Sequence, residues 1–153
     1  MSGAPHVMIV EARFYEDIAD EMMRGAIAAL DEAGATYERF AVPGAFEIPA
    51  AIQFAVQSLD VSGRRRFDGY VALGCVIRGE TSHYDHICQE SARALQDLAI
   101  RHSLALGYGI LTVEDEAQAW ARARVSEGDK GGTTAQACLA MIELKRRLQS
   151  APR

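Results

Sequence analysis

Apolar and amphipathic segments alternate along the whole chain. Short apolar runs are typical of strands covered on both faces, whereas longer segments with apolar positions every three or four residues are typical of helices packed on a core. The pattern predicts four strands, at Val7–Glu11, Thr36–Val42, Phe67–Val76 and Leu106–Thr112. It predicts five helices, at Glu16–Ala33, Ile48–Leu59, His83–His102, Glu114–Arg124 and Thr133–Gln149.

This alternation of strands and helices indicates right-handed crossovers and a parallel sheet between two layers of helices. We therefore expect an α/β protein, a three-layer α/β/α sandwich with a four-stranded parallel sheet, formed by one domain over residues 1–153. A hydrophobic content of 49% is enough for a core without disulfides. Ligands of such sheets bind beyond the carboxyl ends of the strands, so we expect the chemistry there.

Charge and cysteine content narrow the function class. The net charge of −5 disfavours a nucleic-acid partner, and the short basic clusters Arg64–Arg66 and Lys145–Arg147 indicate solvated surface. Three scattered cysteines, Cys75, Cys88 and Cys138, indicate a reducing compartment. No basic segment followed by a long apolar run opens the chain, so we expect no secretion signal, no membrane anchor and a cytoplasmic protein.

The segment Val71–Ile87 passes from a buried strand through a polar, glycine-containing loop into a helix. Free N–H groups at the helix start, together with the helix dipole, favour an anion such as phosphate. Thr81 or Ser82 could instead only cap the helix. His83, in the first helical turn, could be a neutral imidazole that exchanges protons near neutrality, or simply a solvated histidine.

The same helix start also raises the question of a metal site. His83 and His86 are three positions apart and therefore share a helix face, with Asp85 and Cys88 nearby. Zinc sites need paired cysteines or a well-spaced set of histidines and carboxylates, which this sequence lacks. We therefore expect no metal.

Other strand ends carry further candidates. Phe14, just past the first strand, could plug the sheet edge or stack on a flat heterocycle. Glu47, in a proline-bracketed turn after the second strand, could accept hydrogen bonds from ligand hydroxyls or interact with a helix dipole. Tyr108 could be core or stacking surface, and Arg122 could bind a phosphate or be solvated. The sequence contains no P-loop and no GxGxxG after the first strand, which disfavours nucleotide binding.

Five motifs, taken in order, resemble the lumazine synthase family. They are ARF after the first strand, VPGAFEIP after the second, then ALGCVIRGETSHYDHI, GYGILT and DKGG. The resemblance runs from about Val7 to Leu148. It implies a flavodoxin-like fold and a transferase of riboflavin biosynthesis. That enzyme condenses 5-amino-6-(D-ribitylamino)uracil with 3,4-dihydroxy-2-butanone 4-phosphate to 6,7-dimethyl-8-ribityllumazine, releasing phosphate and water, without a cofactor or metal.

The resemblance also implies roles for individual residues. His83 would be catalytic, shuttling protons during imine formation, phosphate elimination and ring closure. The remaining residues would bind substrate: Phe14 on the pyrimidine, Ala45, Phe46 and Glu47 along the ribityl chain, Cys75, Val76 and Ile77 beside the ring, Tyr108 as a second aromatic contact, and Glu80, Thr81 and Arg122 at the phosphate.

Members of the family form pentamers, decamers or sixty-subunit shells, with each site between neighbouring subunits of a pentamer. The resemblance implies that His83 and Arg122 come from one subunit and Tyr108 from the next. The segment RVSEGDKG lacks the pattern GTKAGNKG of many shell formers, so we expect an isolated homopentamer. Association with riboflavin synthase is a further expectation.

Three positions depart from the family pattern. Tyr15 stands where asparagine is frequent, Tyr108 where phenylalanine is common, and Thr133 where an acidic residue is frequent near the catalytic histidine. Tyr15 could change pyrimidine contacts, whereas Tyr108 should preserve stacking. Two other function classes are a lumazine- or riboflavin-binding protein without turnover and a flavodoxin-like signalling module. The presence of both His83 and Arg122 disfavours the binding protein. The five motifs at the strand ends, and the lack of an acidic cluster there, disfavour the signalling module.

Overall fold

The computed structural model describes residues 3–150, which form a four-stranded parallel sheet with helices on both faces. The strands are β1 (His6–Ala12), β2 (Thr36–Val42), β3 (Gly69–Ile77) and β4 (Leu106–Val113), in the order β2-β1-β3-β4. The helices are α1 (Glu16–Glu32), α2 (Ile48–Gln57), α3 (His83–His102), α4 (Glu116–Ala123) and α5 (Lys130–Ser150), and a short 3-10 helix (Ala45–Glu47) precedes α2. The predicted three-layer, flavodoxin-like α/β architecture is confirmed.

Successive side chains of the buried strands supply two separate cores. Val7 and Ile9 of β1 face α1, α4 and α5, whereas Met8 and Val10 face α2 and α3. Because side chains alternate between the two faces of a strand, a strand covered on both sides is apolar at nearly every position. This explains the unbroken apolar runs of the sequence.

Strand register brings the functional loops to one edge of the sheet. Ala12 at the end of β1 is paired with Val42 at the end of β2, and Ile77 at the end of β3 is paired with Val113 on β4. The loops that follow β1, β2 and β3 therefore open at the same carboxyl edge.

Several predicted boundaries were wrong. Helix α5 begins at Lys130 rather than Thr133, because the Gly131–Gly132 pair is helical and packs where no side chain fits. A Cβ at Gly131 would collide with the backbone of Met22 on α1. Glycine usually indicates a loop, but here it permits close contact between helices.

The predicted bounds of β2 (Thr36–Val42) and α3 (His83–His102) are confirmed, and the remaining ends differ from the prediction by at most two residues. Helix α4 covers Glu116–Ala123 because the Asp115 carboxylate caps it, accepting a hydrogen bond of 2.8 Å from the N–H of Gln118. Helix α2 ends at Gln57 rather than Leu59, and β3 covers Gly69–Ile77 rather than Phe67–Val76. Within residues 3–150, no helix combines the length and apolar character needed to cross a membrane.

Candidate active site

A cavity of about 630 Å³ opens at the carboxyl edge of the sheet, between the loops after β1, β2 and β3 and the start of α3. Its volume lies within the usual range for small-molecule sites, roughly 300–1,000 Å³. Nine of the residues proposed from the sequence line it: Phe14, Ala45, Phe46, Glu47, Cys75, Val76, Ile77, Thr81 and His83. Three segments that are distant in sequence therefore contribute to one cavity.

Phe14 presents its ring to the cavity rather than to the core. The side chain is 73% exposed, and its ring contacts Tyr15 edge to face, with centroids 4.9 Å apart. A ring that plugged the sheet edge would be covered, whereas this ring has a face free for stacking on a planar ligand.

An ion-pair network fixes the loop that carries Phe14. The Glu11 carboxylate is buried at the end of β1 and accepts hydrogen bonds from Arg13 (2.8 Å) and Arg39 (3.2 Å). Arg13 also donates to Asp20 at 2.6 Å. The carboxylates of Asp20 and Glu11 raise the pKa of Arg13, so its guanidinium stays charged. Arg13 thus anchors the backbone next to Phe14 to both β1 and α1.

The turn after β2 supplies the next wall of the cavity. Ala45 is buried, and Phe46 and Glu47 are exposed. Glu47 occupies the N-cap position of α2, but its side chain makes no capping hydrogen bond. A Cβ at Gly44 would lie 3.2 Å from Oε1 of Glu47, so glycine leaves room for the carboxylate. The carboxylate is therefore available to accept hydrogen bonds from ligand hydroxyls.

The end of β3 contributes the half-buried residues Cys75, Val76 and Ile77. Burial raises the pKa of the Cys75 thiol to about 11, so the sulfur is a neutral thiol at physiological pH. A neutral, half-buried thiol is a poor nucleophile. This part of the cavity wall therefore contributes apolar surface and backbone polar groups rather than a reactive side chain.

The start of α3 forms the polar end of the cavity. The hydroxyl of Thr81 accepts a hydrogen bond of 3.2 Å from the N–H of His83, whereas Ser82 at the N-cap position makes no side-chain capping bond. Within the described residues, the N–H groups of Glu80 and Thr81 donate to no other group of the chain. These exposed donors lie at the positive end of the helix dipole, which is the usual environment of a bound phosphate.

His83 is exposed and lines the cavity together with Tyr84 and His86. The guanidinium of Arg78 lies 4.3 Å from the centroid of the Tyr84 ring, and it donates to Glu114 at 3.0 Å. These contacts tie the first turn of α3 to the segment after β4. Sequence reasoning did not propose Tyr84 or His86 as cavity residues, although each lies within three positions of His83.

Three residues proposed from the sequence lie outside this cavity. Glu80 is exposed on the loop beside it. Tyr108, on β4, lies instead in a neighbouring groove between α3 and α5. Arg122 is exposed on α4, in the helical layer opposite α3, and donates to the carbonyl of Gln118 at 3.1 Å. The structure does not bring Arg122 and His83 of one chain together.

No group of three histidine, cysteine, aspartate or glutamate side chains among residues 3–150 is arranged to hold a metal ion. The helix face of His83 and His86 therefore lacks a third ligand of these types within the described chain.

Comparison with known proteins gives a consistent result. The family model described as 6,7-dimethyl-8-ribityllumazine synthase matches residues 4–146. The chain is 64% identical over 143 residues to 6,7-dimethyl-8-ribityllumazine synthase 1 of Rhizobium meliloti strain 1021, covering 94% of this chain and 93% of the relative. It is 60% identical over 144 residues to the synthase of Agrobacterium fabrum, covering 94% and 97% of the two chains. The chain therefore belongs to the 6,7-dimethyl-8-ribityllumazine synthase family.

Proposed function

We propose that this chain is a lumazine synthase of riboflavin biosynthesis and that the cavity at the carboxyl edge of its sheet is the catalytic site. The reaction condenses 5-amino-6-(D-ribitylamino)uracil with 3,4-dihydroxy-2-butanone 4-phosphate to 6,7-dimethyl-8-ribityllumazine, releasing phosphate and water. Membership of the family supports the reaction. The observation that supports the site is that nine residues proposed from the sequence, in three separate segments, line one cavity.

In this proposal, the cavity orients two substrates. Phe14 stacks on the pyrimidine, Glu47 accepts hydrogen bonds from the ribityl hydroxyls, and the N–H groups of Glu80 and Thr81 bind the phosphate at the start of α3. Exposure of Phe14, the uncapped carboxylate of Glu47 and the free N–H groups support these roles. Holding reactants together can account for several kcal/mol of barrier lowering, about 7–11 kcal/mol in favourable cases.

The substrate's own amine attacks the ketone, so no protein nucleophile is required, in agreement with the neutral thiol of Cys75. Imine formation, loss of phosphate and ring closure each move protons. His83 is the histidine beside the phosphate-binding N–H groups and is placed to donate and accept those protons. The reaction as proposed uses neither a cofactor nor a metal.

The position of Arg122 changes one detail of the expected site. The resemblance implies that Arg122 and His83 act from the same subunit, but they lie on opposite helical layers of one chain. We propose instead that Arg122, like Tyr108, serves the cavity of a neighbouring subunit. A charge-assisted bond from its guanidinium would then hold the phosphate.

We further propose an isolated homopentamer with sites between subunits. An apolar groove of about 610 Å³ follows the edge strand β4 and includes Ile100, Tyr108 and Met141, whose side chains are exposed in a single chain. An unpaired edge with apolar side chains favours association with a second copy. Sedimentation at about five times the monomer mass would support this state, and a megadalton particle would contradict it.

Two further proposals concern the setting of the enzyme. The free thiols of Cys75, Cys88 and Cys138 support a reducing, cytoplasmic location. Association with riboflavin synthase stays a prediction, which co-sedimentation of the two purified proteins would test.

The deciding experiment mixes the purified protein with both substrates and follows lumazine fluorescence together with phosphate release. We expect matched formation of the two products well above the spontaneous rate. His83→Ala should lower kcat by about 10- to 100-fold, since a positioned proton-transfer group typically contributes about 10²–10⁴ and the solvent replaces part of it. His102→Ala, at the far end of the same helix, is the matched control.

Two outcomes would contradict the proposal. Tight binding of the pyrimidine without acceleration would indicate a binding protein. Equal rates for His83→Ala and the wild type would remove His83 from the mechanism and leave catalysis to positioning alone.

A further inference from the structure

A second cavity lies at the amino edge of the sheet, opposite the catalytic site. It has a volume of about 210 Å³ and is bounded by the segment before β3, the first residues of β3 and the second half of α5. We call it the basal cavity and define it by Arg65, Asp68, Tyr70, Lys145 and Arg146. The fold thereby brings together the two basic clusters that the sequence pattern assigned to solvated surface.

The charges of the basal cavity are unbalanced. Three cations, Arg65, Lys145 and Arg146, line it together with one carboxylate, Asp68. Asp68 already accepts a hydrogen bond from the N–H of His6 at 2.8 Å and lies 3.5 Å from Arg146. Asp68 is therefore the ion-pair partner of Arg146. Among the described residues, Arg65 and Lys145 have no carboxylate partner.

The two remaining cations are held in place by backbone carbonyls. Arg65 donates to the carbonyl of His102 at 2.8 Å, and Lys145 donates to the carbonyl of Ser103 at 2.6 Å. Both acceptors are at the C-terminal end of α3. Burial, and then the charge of Arg65, lower the pKa of Lys145. A bound anion would relieve that repulsion.

The floor of the basal cavity contains an unsatisfied donor. Tyr70 is 1% exposed, and its hydroxyl has no hydrogen-bond partner among residues 3–150. A buried polar group without a partner costs about 1–3 kcal/mol, and each such group in a folded protein calls for an explanation. A water molecule would satisfy the hydroxyl but would leave the charge of Arg65 and Lys145 uncompensated.

We propose that the basal cavity binds a small tetrahedral oxyanion of the phosphate class, with Arg65 and Lys145 as charged partners and the Tyr70 hydroxyl as a third donor. The volume of about 210 Å³ suits inorganic phosphate and is much smaller than the catalytic cavity of about 630 Å³. The ligand is therefore free phosphate, the ion that the reaction releases, rather than a ribityl pyrimidine. The proposal does not depend on the assignment of catalytic residues.

The test is a phosphate titration of the whole assembled protein by calorimetry, at low ionic strength and with chloride as the only other anion. Three variants remove the proposed partners singly: Arg65→Gln, Lys145→Gln and Tyr70→Phe. Arg64→Gln is the matched control, because it removes the same charge from a neighbouring residue that does not line the cavity. Turnover with saturating substrates verifies that each variant is folded.

We expect Arg65→Gln and Lys145→Gln each to weaken binding at one phosphate site by at least 10-fold. Tyr70→Phe should weaken it by about 10- to 150-fold, the factor that corresponds to about 1.5–3 kcal/mol for a hydrogen bond to a charged group. Arg64→Gln should change it by less than twofold. The phosphate bound at the catalytic site should be retained in all four variants, so failure of the two sites is distinguishable.

Two results would overturn the proposal. If Arg64→Gln and Arg65→Gln weaken phosphate binding equally, the effect is one of net charge alone. If Tyr70→Phe binds phosphate as tightly as the wild type, the buried hydroxyl does not face the ion. Crystals soaked in phosphate give an independent readout, since density beside the Tyr70 hydroxyl is expected and its absence contradicts the site.

Discussion

Substitution of Glu11 by glutamine tests whether the ion-pair network at the end of β1 positions the catalytic loop. Glutamine has the shape of glutamate, but it replaces one carboxylate oxygen by an NH₂ group that faces a guanidinium. Glu11 is 4% exposed and accepts hydrogen bonds from Arg13 at 2.8 Å and Arg39 at 3.2 Å. The change therefore removes the negative charge from both ion pairs. The remaining carbonyl oxygen can accept from only one guanidinium, and the NH₂ group faces the other as a donor facing a donor.

The magnitude follows from the exposure of the two arginines. A hydrogen bond to a charged group contributes about 1.5–3 kcal/mol, and the bond from the half-buried Arg13 falls in that range. The bond from Arg39 is longer and its side chain is more exposed, so about 0.5 kcal/mol is appropriate. If both contributions are lost, the sum is about 2–3.5 kcal/mol. For a chain of this length, each kcal/mol lowers Tm by about 2–4 °C, which gives a decrease of about 4–14 °C.

Asp20→Asn is the matched control. Asp20 accepts a bond of 2.6 Å from the other side of the Arg13 guanidinium, but its side chain is mostly exposed. Exposed ion pairs contribute about 0–1 kcal/mol, so a decrease of no more than about 4 °C is expected. The two variants remove the same charge from the same guanidinium and differ chiefly in burial.

The assays are thermal unfolding and steady-state kinetics, at one fixed protomer concentration because association alters apparent stability. Since the network holds the backbone beside Phe14, Glu11→Gln should raise KM for the pyrimidine several-fold and lower kcat less. If Glu11→Gln and Asp20→Asn lower Tm equally, burial is not what makes the Glu11 pair strong. If KM for the pyrimidine is unchanged, the network stabilises the fold without positioning Phe14.

Three further predictions concern packing, pH and thiol chemistry. Gly131→Ala should lower the free energy of unfolding by about 2 kcal/mol or more, because its Cβ would meet the Met22 backbone and about 2 kcal/mol is the middle of the range for overpacked cores. A Cβ at Gly79 would meet nothing within 4 Å, so the control Gly79→Ala should leave Tm nearly unchanged. Hydrogen bonds from Arg24 and from the N–H of Val125 lower the pKa of Glu21 in the folded protein. The ionised Glu21 therefore contributes to stability above the unfolded pKa of about 4.3, and this contribution is lost as pH falls through the lower folded pKa. Glu21→Gln should therefore flatten the acid limb of the stability curve between about pH 5 and 3, measured by urea unfolding. Burial raises the pKa of Cys75 to about 11, so iodoacetamide should leave Cys75 unmodified at neutral pH and alkylate it faster at alkaline pH, as peptide mass spectrometry would measure.

The residues that follow the strand ends are the part of the site that can be predicted from the sequence. Phe14, Glu47 and His83 come from three different segments, yet the parallel order of the strands requires their loops to open at one edge. Local patterns gave the strands and helices because each is buried on a defined face. They did not give the start of α5, where the packing of Gly131 against Met22, 109 positions earlier in the chain, decides the conformation.

Contacts between distant surfaces are the part that the sequence leaves open. Arg65 and Lys145 are far apart in the sequence, and each belongs to a basic cluster that resembles solvated surface. Their side chains meet at the end of α3, where each donates a hydrogen bond to a backbone carbonyl. The spacing of these two residues along the chain therefore does not predict that their side chains share a cavity.

Tyr108 and Arg122 extend the same argument beyond the single chain. Tyr108 belongs to the motif GYGILT, and both residues lie within the 4–146 range that the family model matches. In one chain, however, Tyr108 lies in the groove beside α3 and Arg122 lies on the opposite helical layer. A residue that serves a site of its own chain should line that site's cavity, and these two do not. Their placement and the unpartnered apolar groove along β4 are explained together if a second copy covers the groove and receives both side chains. A mixing experiment tests both observations at once. An equal mixture of His83→Ala and Arg122→Ala subunits, assembled together, should be more active than either variant alone, because hybrid assemblies contain some sites with both groups intact.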